Sequence, residues 1–264
     1  MDRLISLIAV FIAYLGITGA AGAQVMDIPT RPGVTQRVLV MAPPESYSGP
    51  KAAVILFAGG SGGLQITPQG GFKYLGGNFL IRMRQAFAQQ GLYVVIIDAP
   101  SDRQKDPYLG GFRQTPRHVE DVKTVIARIR QQVKVPVWLV GTSRGTQSIG
   151  YIATQLTGSE GPDGIVLTST ILTDDNGRAV PKMELHKIAI PVLVVHHQDD
   201  GCKHCAFANM PLLMNGLTQT RRKELLAYRD GITRGDPCEA LAYHGFNGIE
   251  TTVVGDIARW ILAP

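Results

Sequence analysis

Apolar residues recur along the chain in two alternating rhythms. Strand-like apolar runs occupy 36–41, 53–58, 92–98, 136–141, 164–168, 190–196 and 223–228, and several of them are continuous in Val, Ile and Leu. Runs of that length without polar alternation are expected of strands buried on both faces of a parallel sheet. Between them the apolar positions fall three and four apart. Asn78 can cap a helix carrying Phe79, Met83 and Phe87 on one side and ending at Gly91. Thr115-Pro116 starts a second, with Val119, Val122, Ile126 and Ile129 on one face, and Ile249, Val253, Ile257 and Ile261 form the stripe of the last. This alternation predicts an α/β fold: a doubly wound, mostly parallel sheet with helices on both faces. There is no internal repeat, low-complexity tract or dividing linker.

The first residues follow a different pattern. Arg3 precedes an apolar run from Leu4 to Ile17, and Ala21-Gly22-Ala23 supplies small residues at a cleavage position. The expectation is a signal peptide over 1–23 and a single domain over 24–264, in a secreted or periplasmic protein. The apolar run is short for a membrane span, so no stable membrane insertion is expected after cleavage. The net charge is +5 in a chain of 264 residues, and it survives cleavage because Asp2 and Arg3 leave together. Only Arg221-Arg222-Lys223 is densely basic, with no stripe of interleaved aromatics, so a nucleic-acid partner is not expected. Arg144 and Arg113 read as solvated side chains before they read as anion contacts.

Chemistry concentrates where buried runs end. The run at 136–141 passes into Gly141-Thr142-Ser143-Arg144-Gly145 and then into a helix of small residues. A serine between two glycines at a strand-to-helix turn is a nucleophile elbow: the turn lifts the hydroxyl clear, and the helix N-terminus favours negative charge beside it. A serine needs a base, and the base needs an orienting acid. The strand at 190–196 leads to Asp199 and Asp200, and His244 follows in a loop before the last helix. His118 and His186, on or beside helices, read as surface or supporting residues.

With those residues in order, the chain resembles the α/β-hydrolase superfamily over most of 36–262, in the branch of dienelactone hydrolases and small esterases. His244-Gly245-Phe246 before the last helix carries part of that likeness. In that branch the acid strand reads Val-His-Gly-x-x-Asp; laid on Val195 to Asp200, the acid falls on Asp200. His197 stands where glycine is usual, which keeps Asp199 as the alternative one position away. The resemblance also implies an oxyanion hole from the backbone N–H of Arg144 and of Gly60, with Ser61 as alternative. Here Ala58-Gly59-Gly60 replaces the family's His-Gly-Gly. The expected activity is cleavage of carboxylic esters, or of thioesters or activated amides, through an acyl-enzyme on Ser143, Asp200 and His244. The expected partner is a small acyl substrate, and no cofactor is called for. A peptidase of the same fold and a non-catalytic binding module are the alternatives. The short segment between the last two strand runs leaves no room for a large lid.

The three cysteines lie beside the proposed acid and base. If Asp200 and His244 touch, Cys202 and Cys238 become neighbours, and a Cys202–Cys238 disulfide with Cys205 free is expected; a Cys202–Cys205 pair is the rival. His196, His197, Asp199, Asp200, Cys202, His204 and Cys205 are all metal-ligand types within ten residues, but His196 and His197 point to opposite faces of a strand and no second Cys pair completes four ligands. No metal is expected. The sequence leaves the oligomeric state open.

Overall fold

The computed structural model describes residues 22–263. The signal-peptide segment lies outside the described residues except for Gly22 and Ala23. Eight strands form one sheet: β1 (Gln24–Arg31), β2 (Val34–Met41), β3 (Ala52–Phe57), β4 (Leu92–Ile97), β5 (Val137–Thr142), β6 (Gly164–Thr168), β7 (Val192–His197) and β8 (Lys223–Tyr228). Their spatial order is β1-β2-β4-β3-β5-β6-β7-β8. β1 and β2 pair antiparallel with each other, β2 pairs antiparallel with β4, and every other pairing is parallel.

The helices are α1 (Phe79–Arg82), α2 (Arg84–Gln89), α3 (Pro116–Val133), α4 (Gly145–Gln155), α5 (Met210–Gly216) and α6 (Glu250–Leu262). One apolar layer places α3, α4 and α5 against the sheet; the other places α1, α2 and α6 on the opposite face. Every residue of β3, β4, β5, β6 and β7 is buried, the physical reason those runs lack alternation. This is the expected α/β architecture, with helices on both faces.

Three elements depart from the sequence expectation. β1 carries only one buried residue, Ile28, and contains Pro29, where the register to β2 shifts. Proline is tolerated there because β1 is an edge strand, and that edge position left the segment without an apolar signature. Pro32-Gly33 closes the hairpin, with Gly33 at φ +71°. The helix expected through Phe79, Met83 and Phe87 breaks at Met83 into α1 and α2. At the break Arg82 is drawn to Gly77 O, Gly245 O and Glu250, and Arg84 donates to Ile81 O. The third is α5, a short helix in the segment between β7 and β8. Among the described residues no helix is long and apolar enough to cross a membrane.

Candidate active site

Polar side chains gather at the C-terminal ends of β4 to β7, where an open α/β sheet holds its ligands. Ser143 follows β5 at φ +52°, a conformation rare for any residue but glycine. Its N–H donates to Thr168 O at 3.0 Å, and its carbonyl accepts from the Thr146 N–H and hydroxyl at 2.9 and 2.6 Å. The flanking glycines are required by contact. A Cβ on Gly145 would lie 2.2 Å from Phe57 O, and one on Gly141 would lie 2.8 Å from the Gly145 carbonyl.

Asp200 and His244 meet. His244 Nδ1 lies 2.9 Å from Asp200 Oδ2, and the other carboxylate oxygen accepts from Cys202 N–H at 2.9 Å. Both residues are buried, whereas Asp199 is exposed. The second ring nitrogen of His244, Nε2, is buried and has no hydrogen-bond partner among the described residues. His244 and Ser143 line one cavity of about 310 Å³, together with Gly59, Gly60, Asn78 and residues 238–240. Among the described residues neither the Gly60 N–H nor the Arg144 N–H meets an acceptor. The loop at Gly59 runs hard against the serine: a Cβ there would be 2.9 Å from Ser143 Cβ.

Supporting contacts that the sequence reading did not anticipate surround this pair. Ser169, just past β6, donates its hydroxyl to His244 O at 2.7 Å. His197 stacks on Tyr243 with ring centroids 4.1 Å apart and binds Asp230 O through Nε2. This contact gives a structural reason for histidine where glycine is usual. His196, on the other face of β7, binds Cys205 O at 2.6 Å, and burial lowers its pKa, so the ring is neutral. Asp98 at the end of β4 accepts from the N–H groups of Leu64, Gln65, Ile66 and Ala99 and so pins the glycine-rich loop. A polar residue at the C-terminal end of a buried strand run is the sequence signal shared by Asp98, Ser169 and His196.

Two histidine and arginine expectations are corrected. His118 is a buried residue of α3, with neither ring nitrogen bonded among the described residues; burial, with Arg113 and Arg31 nearby, pushes its pKa down to about 3. Arg113 is buried, and its guanidinium binds protein oxygens. Helix and loop positions alone do not specify which face meets the sheet. His186 is exposed. Arg144, half-buried, pairs with Asp174 at 3.2 Å. Burial alone would raise the Asp174 carboxyl, but hydrogen bonds from Asn176 N–H and Arg144 bring it below its usual value.

Cys202 and Cys238 form a disulfide, tying the acid loop to the segment before His244. Cys205 is free and buried, and burial raises its thiol pKa well above the ordinary value. One ligand atom each from Cys202, Cys205 and His244 lies within 4.8 Å of the others. That trio does not make a metal site as it stands, because the Cys202 sulfur is committed to the disulfide.

No protein-family model and no curated protein matches the sequence. Solved structures do match in shape. An α/β serine hydrolase without a lid from Xanthomonas campestris superposes with a TM-score of 0.60 at 16% identity, over 93% of this chain and 98% of that one. A dienelactone hydrolase-like promiscuous phosphotriesterase from metagenomic libraries gives 0.61 at 17% identity, over 92% and 98%. The esterase domain of a Rhodothermus marinus protein gives 0.60 at 12%, over 91% and 98%. At these identities the likeness concerns shape, and the chain has the α/β-hydrolase fold.

Proposed function

We propose that the protein is an exported serine hydrolase acting on carboxylic esters of small acyl groups. The observation that carries the reading is the buried Asp200–His244 pair, whose unpartnered Nε2 borders the same cavity as the strained Ser143. Ser143 Oγ attacks the acyl carbon while His244 Nε2 takes its proton, and Asp200 holds the imidazole by its Nδ1–H and stabilises the cation. The N–H groups of Gly60 and Arg144 receive the developing oxyanion. The leaving alcohol takes the proton back from His244. Water then attacks the acyl-enzyme with His244 again as base. Three of its structural neighbours, a serine hydrolase, an esterase domain and a dienelactone hydrolase-like enzyme, carry chemistry of this kind.

Export is part of the proposal. It rests on the apolar start with its small-residue cleavage position, on β1 beginning at Gln24, and on the disulfide. N-terminal sequencing of the protein recovered from the periplasm or medium should begin at Gln24.

The test of the activity is a fluorophosphonate probe followed by a nitrophenyl ester panel of varied chain length and charge. Wild type should be labelled at Ser143 and Ser143→Ala should not; full labelling of the alanine variant removes the proposal. Thioesters and aminoacyl nitroanilides in the same panel test the neighbouring chemistries, and hydrolysis confined to the anilides makes the protein a peptidase.

A further inference from the structure

Arg113 is the one buried guanidinium in the candidate site's surroundings that has no carboxylate partner among the described residues. Its Nη2 lies 3.1 Å from Ala58 O, 3.5 Å from Gly59 O and 3.2 Å from Gly60 O, three successive carbonyls of the loop leaving β3. Its Nη1 donates to Ser148 Oγ at 3.0 Å, on α4, the helix that begins beside the serine. The seat is close-fitting: a Cβ on Gly62 would lie 2.5 Å from Nη2, and Gly62 has φ +77°. Burial first, and then Arg144, pushes the Arg113 pKa down to about 9. A buried cation without an anion is costly, and here three carbonyl dipoles and one hydroxyl offset that cost.

The loop it grips is a partition. Gly60 lines the Ser143 cavity on one side and, on the other, the pocket into which Arg113, Arg144 and Arg178 face. In a trans peptide the C=O and the N–H point in opposite directions. The Gly59 carbonyl accepts from the Gly62 N–H at 3.1 Å and lies 3.5 Å from Arg113 Nη2; the Gly60 N–H of the same peptide unit therefore points the other way, to the serine side. The cation at the carbonyl ends also polarises these peptide units, which strengthens their N–H groups as donors.

We propose that Arg113 is a positioning residue of the oxyanion hole, holding the Ala58–Gly60 peptide units so that the Gly60 N–H faces the carbon attacked by Ser143. The inference rests on the serine-hydrolase reading above. Arginine is required because one planar fork must reach three carbonyls with one nitrogen and Ser148 with another, which a lysine ammonium cannot reproduce.

The experiment measures kcat and KM for nitrophenyl acetate, and inhibition by a trifluoromethyl ketone that mimics the tetrahedral intermediate, in wild type, Arg113→Lys and Arg113→Ala. Removal of one oxyanion donor lowers kcat by about 10² to 10³. Arg113→Ala should lower kcat by about 10² with KM within about threefold, and should weaken the ketone in parallel. Arg113→Lys should recover only part of the loss, and added guanidinium at sub-denaturing concentration should restore Arg113→Ala about tenfold. A kcat within threefold of wild type overturns the inference. So does a rise in KM alone, or a loss of activity that follows thermal stability and ignores guanidinium. If Arg113→Ala does not fold, Ser148→Ala decides: it releases Nη1 and should lower kcat severalfold at unchanged KM, and an unchanged kcat overturns the inference. A wild-type Ser143 inert to the fluorophosphonate ends the hydrolase reading and this inference together. A reactive Ser143 with kcat insensitive to Arg113 ends this inference alone.

Discussion

At the scale of single residues, the candidate site depends on atoms that leave no room for change. Gly145 lies with its Cα facing the Phe57 carbonyl of β3, and Gly145→Ala would force a methyl to 2.2 Å from that oxygen. Backbone on a central strand cannot yield, so we expect a loss of about 3 kcal/mol or more, or no soluble folded protein, read by denaturant titration. The pair of adjacent acids offers a sharper contrast. Asp200 is buried on His244, whereas Asp199 faces solvent. Asp200→Asn should keep the fold and lower kcat on a nitrophenyl ester by about 10⁴, because the amide favours the wrong imidazole tautomer. Asp199→Asn should change kcat by no more than a few-fold. The opposite ranking would move the acid to Asp199. The motif narrowed the expected acid to two adjacent positions in the sequence. Which of the two turns inward depends on the turn after β7, where Asp200 N–H meets His197 O and Cys202 N–H meets the Asp200 carboxylate.

At the scale of elements, α3 shows how a periodic helix hides a titratable group. Its apolar stripe of Val119, Val122, Ile126 and Ile129 was legible, but the sequence did not show that His118 lies on the buried side. The ring sits edge-on to Phe57 and Phe112. Its pKa is about 3 in the folded protein against 6.5 for the free side chain. The unfolded chain therefore binds the extra proton between those values, so stability falls as pH drops from 6.5 toward 3, by up to about 1.4 kcal/mol per pH unit from this group. Above 6.5 the histidine is neutral in both states and contributes no slope. Urea titrations at pH 7, 5.5 and 4.5 should show a steeper acid loss for wild type than for His118→Phe. Equal slopes would mean that the imidazole is solvated or bonded. The edge strand β1 makes the complementary point. Its one buried residue and its proline give no strand signal, and it exists because β2 offers an unpaired edge.

At the scale of the whole molecule, the Cys202–Cys238 disulfide joins segments 36 residues apart in sequence, one beside Asp200 and the other on the wall of the Ser143 cavity. Chain-entropy estimates value such a loop at about 4 kcal/mol before any strain is subtracted. Cys238→Ser should therefore lower unfolding stability by an amount of that order, read by denaturant titration under non-reducing conditions. Peptide mapping without reductant should recover Cys202 with Cys238, and Cys205 should react with iodoacetamide only after unfolding, because its side chain is buried. Recovery of a Cys202–Cys205 peptide would refute the pairing.

Patterning by itself determined the parallel core, because strands buried on both faces must be apolar throughout and helices packed on one face must repeat every three to four residues. It also determined the elbow, since Gly141 and Gly145 stand where any Cβ would strike backbone. Local sequence could not determine which side chains converge from distant segments. Tertiary structure decided that Asp200 and not Asp199 reaches His244 across 44 positions, and it alone showed that Ser169 and His197 brace the histidine loop and that Arg113 turns inward onto Ala58, Gly59 and Gly60. The physical reason is that burial and hydrogen-bond satisfaction are properties of the packed chain: a polar residue at a strand end becomes a buried partner only once the strands, loops and helices around it have closed.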